Sequence, residues 1–524
     1  MKHLVKPTLL AVLIAGVMSA CSMAPRYHQP KVEMAETFPG AAANNQRAGE
    51  VAAANLGWQD YFADDRLKHI ISLALANNRD LRVAALNVEA VRAQYVIQRA
   101  DRLPALSATG NGGRSRVAQD LSAMRDASGR QASYIAESYN VGLGVTAFEL
   151  DLFGRVKSLS DAALNQYFQQ KQVRDSTQIS LIASVAKAYF DERIAQAQMD
   201  LSSRVLTSRE ESKRLTDLQF KSGVISQVDV DVAEAQIETA RADYAAAKQA
   251  RDQAHNALTL LVGKPLPDDL PAAAPLSQQF VNAELPVGLP STILYQRPDV
   301  RAAEFALKSA NANIGAARAA FFPRISLIGS IGSGSNDIGH LFNGPNRTWS
   351  FTPQITLPIF TWGQNKGNLD LATARKNIAV AQYEQTVQAA FRDVADALVA
   401  RDSLKKQYEA KRRGEQAQTN RYKLTQLRYK HGIASSLEQL DAERDSYAAQ
   451  QALLSTQQTL LENRADIYKA LGGGLNQQTA EPAASTTVTT TTTTSTTPCI
   501  NGVLVRMAAL PQPSCSCTGN MLKI

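Results

Sequence analysis

Residues equipped for catalysis are few in this chain, and they do not converge. The six histidines are scattered through 524 residues, with no serine–histidine–aspartate set, phosphate-binding loop or metal-spaced cluster beside them. Gly329, Gly332 and Gly334 are spaced like a dinucleotide turn but fall in a strand pattern, the wrong setting for that chemistry. No enzyme, metal site or cofactor is expected. One residue does have an evident chemistry, and it is Cys21. Lys2, His3 and Lys6 precede an apolar run from Leu9 to Val17, the layout of a signal peptide too short to span a bilayer permanently. Val17-Met18-Ser19-Ala20-Cys21 resembles a bacterial lipobox, with Met18 where leucine is usual. Cleavage before Cys21 and acylation of its thiol would make a covalent lipid the sole non-protein group. Cys499, Cys515 and Cys517 lie in a tail that becomes threonine-rich over Thr486–Thr497, a composition that predicts disorder. Cys515 and Cys517 alone make a poor donor set for a metal.

The rest of the chain is written twice. Asp80, Arg82 and Pro104 recur 219 positions later as Asp299, Arg301 and Pro323. Further on the offset falls to 209, which relates Gly154 and Lys157 to Gly363 and Lys366, Gly223 to Gly432 and Gly263 to Gly472. The lost residues must come from a shorter loop in the second copy, between Pro323 and Gly363. A period this long is no solenoid unit; it is a duplicated half-protein.

Each copy reads as helix, two strands, very long helix, tight turn, helix. Between Arg155 and Ser222 there is neither glycine nor proline, and the composition is strongly helical. Such a helix reaches about 100 Å at 1.5 Å per residue. Gln227–Val262 should return alongside it, and Asn368–His431 with Ser435–Leu471 should repeat the hairpin, interrupted only by Gly414. Thin apolar stripes such as Leu181, Val185 and Ala188 imply lateral packing against other helices. Short helices near Leu67–Ala76 and Ser291–Gln296, with Ala41–Asp65 and the region after Leu471, should form a belt around the middle.

The strands alternate. Tyr139, Val141, Leu143 and Val145 face one way, with Asn140, Gly142, Gly144 and Thr146 opposite; Trp349, Phe351, Ile355 and Leu357 alternate likewise with polar residues. Runs of about 10 residues with apolar-out, polar-in alternation suit a transmembrane β-barrel. Tyr139 and Trp349 at one end, with Phe153, Phe360 and Trp362 at the other, are placed as interfacial aromatics. Pro353 inside a strand predicts a bulge or bend. Four strands cannot close a barrel, and an open edge in lipid leaves backbone groups unsatisfied. The barrel must then be shared between chains by cyclic symmetry. Two chains would fill the lumen with side chains, whereas three leave a passage.

The net charge of +8 is spread thinly, with no basic block carrying interleaved aromatics, so nucleic acid is not an expected partner. The segments divide into a lipoprotein signal peptide (1–20), a lipidated N-terminal segment (21–65), a first repeat (66–263), a proline-rich linker (264–297), a second repeat (298–474) and an atypical tail (475–524).

From Cys21 to about Gln478 the chain resembles the outer membrane factors, TolC-like channels of tripartite efflux pumps. The resemblance is carried by Asn77–Ala90, Glu149–Arg155, Gln296–Val300, Ile314–Pro323 and Tyr468–Gly474. It implies a mainly helical fold with a β-barrel portion, three chains sharing twelve strands in the outer membrane and a twelve-helix periplasmic tunnel. It further implies a periplasmic adaptor, an inner-membrane proton-driven pump of the RND type, outer-membrane lipid as surroundings and small-molecule drugs as cargo. Ser22 after Cys21 favours the outer membrane by the same analogy. The turns Lys221–Ile225 and Lys430–Ala434, reversed at Gly223 and Gly432, should sit at the far periplasmic end and meet the adaptor. Leu437, Asp441 and Arg444 share one helical face. The resemblance makes that face the narrowing of the entrance, with rings of Leu437 and Asp441 and with Arg444 and Tyr429 reaching to adjacent helices. A duct for metal ions or polypeptides, or a periplasmic coiled-coil scaffold without a barrel, are the other readings.

Overall fold

The computed structural model describes residues 22–35, 37–38, 56–125, 127–281 and 291–479. Cys21, the signal peptide, residues 41–55 and the tail cysteines lie outside the described residues. Within them the chain runs through α1 (Trp58–Tyr61), α2 (Asp65–Asn77), α3 (Arg79–Ala100), β1 (Leu106–Val117), β2 (Tyr134–Leu150), α4 (Arg155–Lys221) and α5 (Gln227–Val262). A short 3-10 turn, Ser291–Gln296, leads to α6 (Pro298–Ala319), β3 (Arg324–Ser335), β4 (Arg347–Thr356), α7 (Gln364–Lys430) and α8 (Ser436–Ala470). Both offsets reappear in these bounds. The long helices α4 and α7 have 67 residues each, and α3 and α6 have 22 each. No described helix is long and apolar enough to cross a membrane.

The three glycine pairs shared at the 209 offset have one physical cause. Gly154 and Gly363 start the long helices at φ 71° and 85°, Gly223 and Gly432 turn the hairpins at 73° and 70°, and Gly263 and Gly472 end the return helices at 80° and 81°. All lie in the left-handed region, where a side chain collides with its own backbone. The first corner is further locked by Arg155, which donates to both carboxylate oxygens of Glu149 at 2.8 and 2.5 Å, while Asp151 accepts from the Lys157 amide at 2.7 Å. The second corner has Pro358 and Gln364 at the positions of Glu149 and Arg155. There Trp362 takes φ 50° and sits edge-on to Phe360.

Packing arranges the helices in two tiers. Near the strands the neighbours run α3, α4, α6, α7; beyond mid-body they run α5, α4, α8, α7. The sheet is antiparallel in the order β1-β2-β3-β4. At all three levels the outer elements are one from the first copy (β1, α3, α5) and one from the second (β4, α7). The outer helices expose apolar side chains: Val83, Leu86, Val96 and Ile97 on α3, Leu371, Ile378 and Val399 on α7.

Where the tiers meet, helices are spliced end to end. Asn78 caps α3 through its Oδ1, which accepts from the Leu81 amide at 2.9 Å, and donates from Nδ2 to the Leu261 carbonyl at the end of α5 at 2.8 Å. Arg297, 219 residues on, donates to the Ala470 carbonyl at the end of α8, also at 2.8 Å. These side chains satisfy last-turn carbonyls that have no intrahelical partner. Around the splice lie two cores. One gathers Trp58, Tyr61, Phe62, Leu67, Ile70 and Ile71 against α4 and Tyr468; the other gathers Phe38, Leu294 and Val300 against Tyr383, Val387 and Val394 of α7. The described parts of the expected belt, α2, the 3-10 turn and the segment after Leu471, are packed here. Backbone amides of Trp58 and Gln59 donate to the carbonyls of Asn476 and Gln477.

Two strand expectations need correction. β1 extends through twelve residues to Val117 and β2 through seventeen, both longer than the alternation suggested. Pro353 makes no bulge: it pairs with Leu327 in unbroken register on β4, an edge strand of the single chain, where proline is tolerated. The irregularity lies in β2 between Val145 and Phe148, with Ala147 at φ 55°. The shorter second loop is present: residues 118–133 join β1 to β2, and only 336–346 join β3 to β4.

Candidate functional site

The two hairpin ends are built alike. α4 and α7 each finish in a Schellman turn: Val224 N–H donates to Gln219 and Gly223 N–H to Phe220, and Ile433 and Gly432 do the same to Arg428 and Tyr429. Ser226 and Ser435 then cap the return helices. Ser226 and Asp229 form a reciprocal capping box, and those hydrogen bonds hold the Asp229 carboxyl below its ordinary value. Lys221 and Lys430 occupy the last turns, where a cation complements the helix dipole. Val224 and Ile433 stand out from the turns, 72% and 69% exposed. Apolar tips this open are suited to contact another surface.

The proposed entrance face lies just beyond the second tip. Leu437 is 66% exposed, and Asp441 pairs with Arg444 at 3.3 Å along the same helix. Arg444 also approaches Asp445 at 3.5 Å and is otherwise exposed. Among the described residues its ion pairs are with these two carboxylates of its own helix. Tyr429 is partly exposed, and its hydroxyl has no hydrogen bond among the described residues.

Other residues join the helices here. Arg421 of α7 donates to Asp445 of α8 at 2.8 Å, and Arg428 of α7 pairs with Glu438 at 2.5 Å. Deeper in, Arg209 of α4 pairs with Glu443 of α8 at 3.3 Å and donates to Gln236 of α5 at 2.7 Å. Glu443 is buried and Arg209 nearly so, with side chains at 8% and 13% exposure. Burial pushes the Glu443 carboxyl up, and Arg209 and a hydrogen bond from Ser208 oppose that shift. One guanidinium thus ties the first hairpin to the second. Sequence reasoning missed it, since Glu443 has a glutamate twin in the first copy, Glu234, and nothing in either residue announces burial.

The strand residues sort by face. Ala108, Leu143, Ile331 and Trp349 form one rung, and the preceding rung runs Leu106, Val145, Gly329, Phe351. On the opposite face the rung is Ser107, Gly144, Ser330, Ser350, where the Ser330 and Ser350 hydroxyls meet at 2.7 Å. One face is apolar and the other is neutral and small, as a lipid-facing and a lumen-facing surface require. Tyr139 shares the apolar face but lies four positions along β2 from Leu143, the residue on Trp349's rung, so the two aromatics are not level in the ladder. At the other end Phe153 stacks on Phe322, while Phe360 and Trp362 stand 73% and 91% exposed.

Cys21 lies outside the described residues, but the segment after it is placed. It runs antiparallel along α6: Met23 accepts from Arg318 at 3.4 Å, Pro25 from Asn311 at 2.8 Å, and Tyr27 donates to Glu304 at 3.1 Å. Gly315 makes room, since a Cβ there would lie 2.7 Å from the Ala24 nitrogen.

Residues 70–264 and 289–473 each match the outer membrane efflux protein family, and these two stretches are themselves related by the offsets of 219 and 209. A probable efflux pump outer membrane protein of Pseudomonas putida, TtgC, is 46% identical over 477 residues, covering 91% of this chain and 97% of that protein. Outer membrane protein OprJ of Pseudomonas aeruginosa is 44% identical, covering 89% and 96%. The open-state MtrE outer membrane channel of Neisseria gonorrhoeae is 50% identical, covers 88% of this chain and 100% of its own, and superposes with a TM-score of 0.79. Duplicated helices, a four-stranded sheet with one apolar face and these likenesses agree: the chain belongs to the outer membrane efflux protein family.

Proposed function

We propose that this chain is one subunit of a trimeric exit duct in the outer membrane, conducting drugs and other small molecules passively outward from a periplasmic adaptor and an RND-type inner-membrane pump. The observation that carries the reading is the pair of edges left open at every level. β1 and β4, α3 and α7, and α5 and α7 all end the single chain on the same two sides. Joining the first-copy side of one chain to the second-copy side of the next is a head-to-tail contact, which closes into a ring. Three chains make a twelve-stranded barrel with a passage and a twelve-helix tunnel below it. A barrel-free scaffold would leave the apolar sheet face and its two free ladders without a role.

Cys21 carries the lipid. Arg318 holds Met23, two residues after Cys21, close to the point where α6 passes into β3, which supports an anchor at that end of the helical body. Leu437 and Asp441 form the apolar and acidic rings that narrow the periplasmic entrance, with Arg444 tuning the acidic ring from the same helix. Gly223, Gly432, Lys221 and Lys430, with Val224 and Ile433, present the adaptor-binding tips. The duct performs no bond chemistry; its task is passage.

Purified protein in planar bilayers tests the reading. Large conductance from a species three times the chain mass is expected. A stable monomer without conductance would overturn it. Palmitate labelling lost in Cys21→Ser tests the anchor, and labelling unchanged in that variant would remove it.

A further inference from the structure

The apolar face of the sheet carries a concavity that passage through the lumen does not use. A groove of about 670 Å³ is lined by Val141, Leu143, Ile331, Phe342 and Trp349, with Arg347 at its edge. Its overhanging wall is built in. Phe342 comes from loop 336–346, which the single Ser333 hydroxyl holds against the sheet from within hydrogen-bonding reach of both the Leu341 and Asn346 carbonyls. The Arg347 side chain is exposed and makes no hydrogen bond or ion pair among the described residues. It lies on the loop side of Trp349, the end remote from the helices.

The same face gathers more positive charge further out. Alternation along β1 puts Arg114 and Arg116 on the side of Ala108 and Leu106. Arg114 pairs with Glu137 at 2.8 Å yet is 67% exposed, and Arg116 donates to the Ser133 hydroxyl at 3.2 Å. β1 and β4 are the two free edges, so the ring argued above puts Arg114 and Arg116 of one chain on the same seam, and the same face, as Arg347 of the next. In this respect the inference rests on the trimeric duct.

We propose that the groove and its arginines bind a phosphorylated glycolipid of the outer leaflet, with an acyl chain along Leu143, Ile331 and Trp349 and a phosphate on Arg347. A guanidinium at a lipid–water boundary with no protein partner matches phosphate in a bidentate fork. The lining takes hydrocarbon, and the open end faces the side of the membrane where glycolipid headgroups lie. A phospholipid offers one phosphate to this seam. A diphosphorylated glycolipid offers two, matching arginines supplied by two chains.

Native mass spectrometry of purified trimers titrated with diphosphorylated lipid A, its dephosphorylated form and phosphatidylglycerol tests this. Lipid A should bind in preference to both others. Arg347→Gln should weaken lipid A binding about tenfold, the loss of one charge-assisted contact, and Arg114→Gln with Arg116→Gln should weaken it less. Phe342→Ser, which removes the wall and no charge, should weaken all acylated ligands. Equal lipid A binding by wild type and Arg347→Gln, or equal binding of lipid A and phosphatidylglycerol, would overturn the proposal. Bilayer conductance of Arg347→Gln should stay at the wild-type level. Absent conductance in the wild type would count against the duct alone, because lipid counts remain readable on any intact trimer.

Discussion

Glu234 and Glu443 hold equivalent places in the two copies, 209 residues apart, and meet different surroundings. Glu234 is 55% exposed and pairs with Lys213 at 3.3 Å; Glu443 is 8% exposed and pairs with Arg209 at the same distance. The corners above the hairpins diverge too, with Arg155 and Glu149 locking the first and an exposed Trp362 at φ 50° standing in the second. Duplication thus reproduced the backbone, down to the φ of three glycine pairs, and let the side chains specialise. In the lower tier α4 lies between α5 and α8, so the first hairpin's own carboxylate, Glu234, faces outward while Glu443, in the pair between hairpins, is enclosed.

The largest expected effect comes from breaking the enclosed pair. Arg209→Met strands a buried carboxylate and should cost about 3–5 kcal/mol in the hairpin tier. Lys213→Met, which leaves only the exposed Glu234 carboxylate without this partner, should leave the unfolding midpoint of the purified trimer unchanged. Equal losses in both variants would erase the contrast. A pH series sharpens it. Burial raises the Glu443 carboxyl, so its ionisation opposes folding once Arg209 is gone. Arg209→Met should be most stable below the ordinary glutamate value and lose stability as pH rises through the raised one. Glu443→Gln added to Arg209→Met should flatten that slope.

Conductance probes the copies at the entrance. Leu437→Ala with Asp441→Ala should raise single-channel conductance severalfold, while the equivalent Val228→Ala with Val232→Ala should not change it. At the tips the copies should instead agree. Gly223→Ala and Gly432→Ala should each cost about 1–2 kcal/mol, because both glycines hold the left-handed region and a Cβ at either would touch nothing else. The smallest effect is a gain. Gly414 lies inside α7 with open space where a Cβ would go, and its twin in the first copy is Val205. Gly414→Ala should therefore stabilise α7 by about 1 kcal/mol, read as slower amide exchange around residue 414.

Much of the scaffold was legible because backbone rules are local. The absence of glycine and proline between Arg155 and Ser222 predicts the α4 that is found, and Gln227–Val262 has its expected bounds. Alternation around Leu143 and Trp349 gives the two faces of the sheet. What stayed hidden depends on neighbours remote in sequence. Pro353 reads as a bulge until β4 is known to be an edge. Arg209 and Glu443 are ordinary charged residues on polar helices, and only the packing of α4 between two return helices encloses them. Trp349 and Tyr139 look level in sequence, and the register separates them.

The splice between the tiers has a mechanical consequence. At every height two helices, α4 and α7, pass mid-body unbroken, while α3 ends on α5 and α6 ends on α8. A twist imposed at Gly432 travels along α7 to the corner at Gly363 without crossing a splice. The same twist taken up by α8 must pass through Arg297 and the Ala470 carbonyl. Load entering at the tips therefore has a stiff route and a compliant one. The compliant route is bolted by an asparagine in the first copy and by an arginine in the second, where Arg297 also grips Asp299 at 2.6 Å.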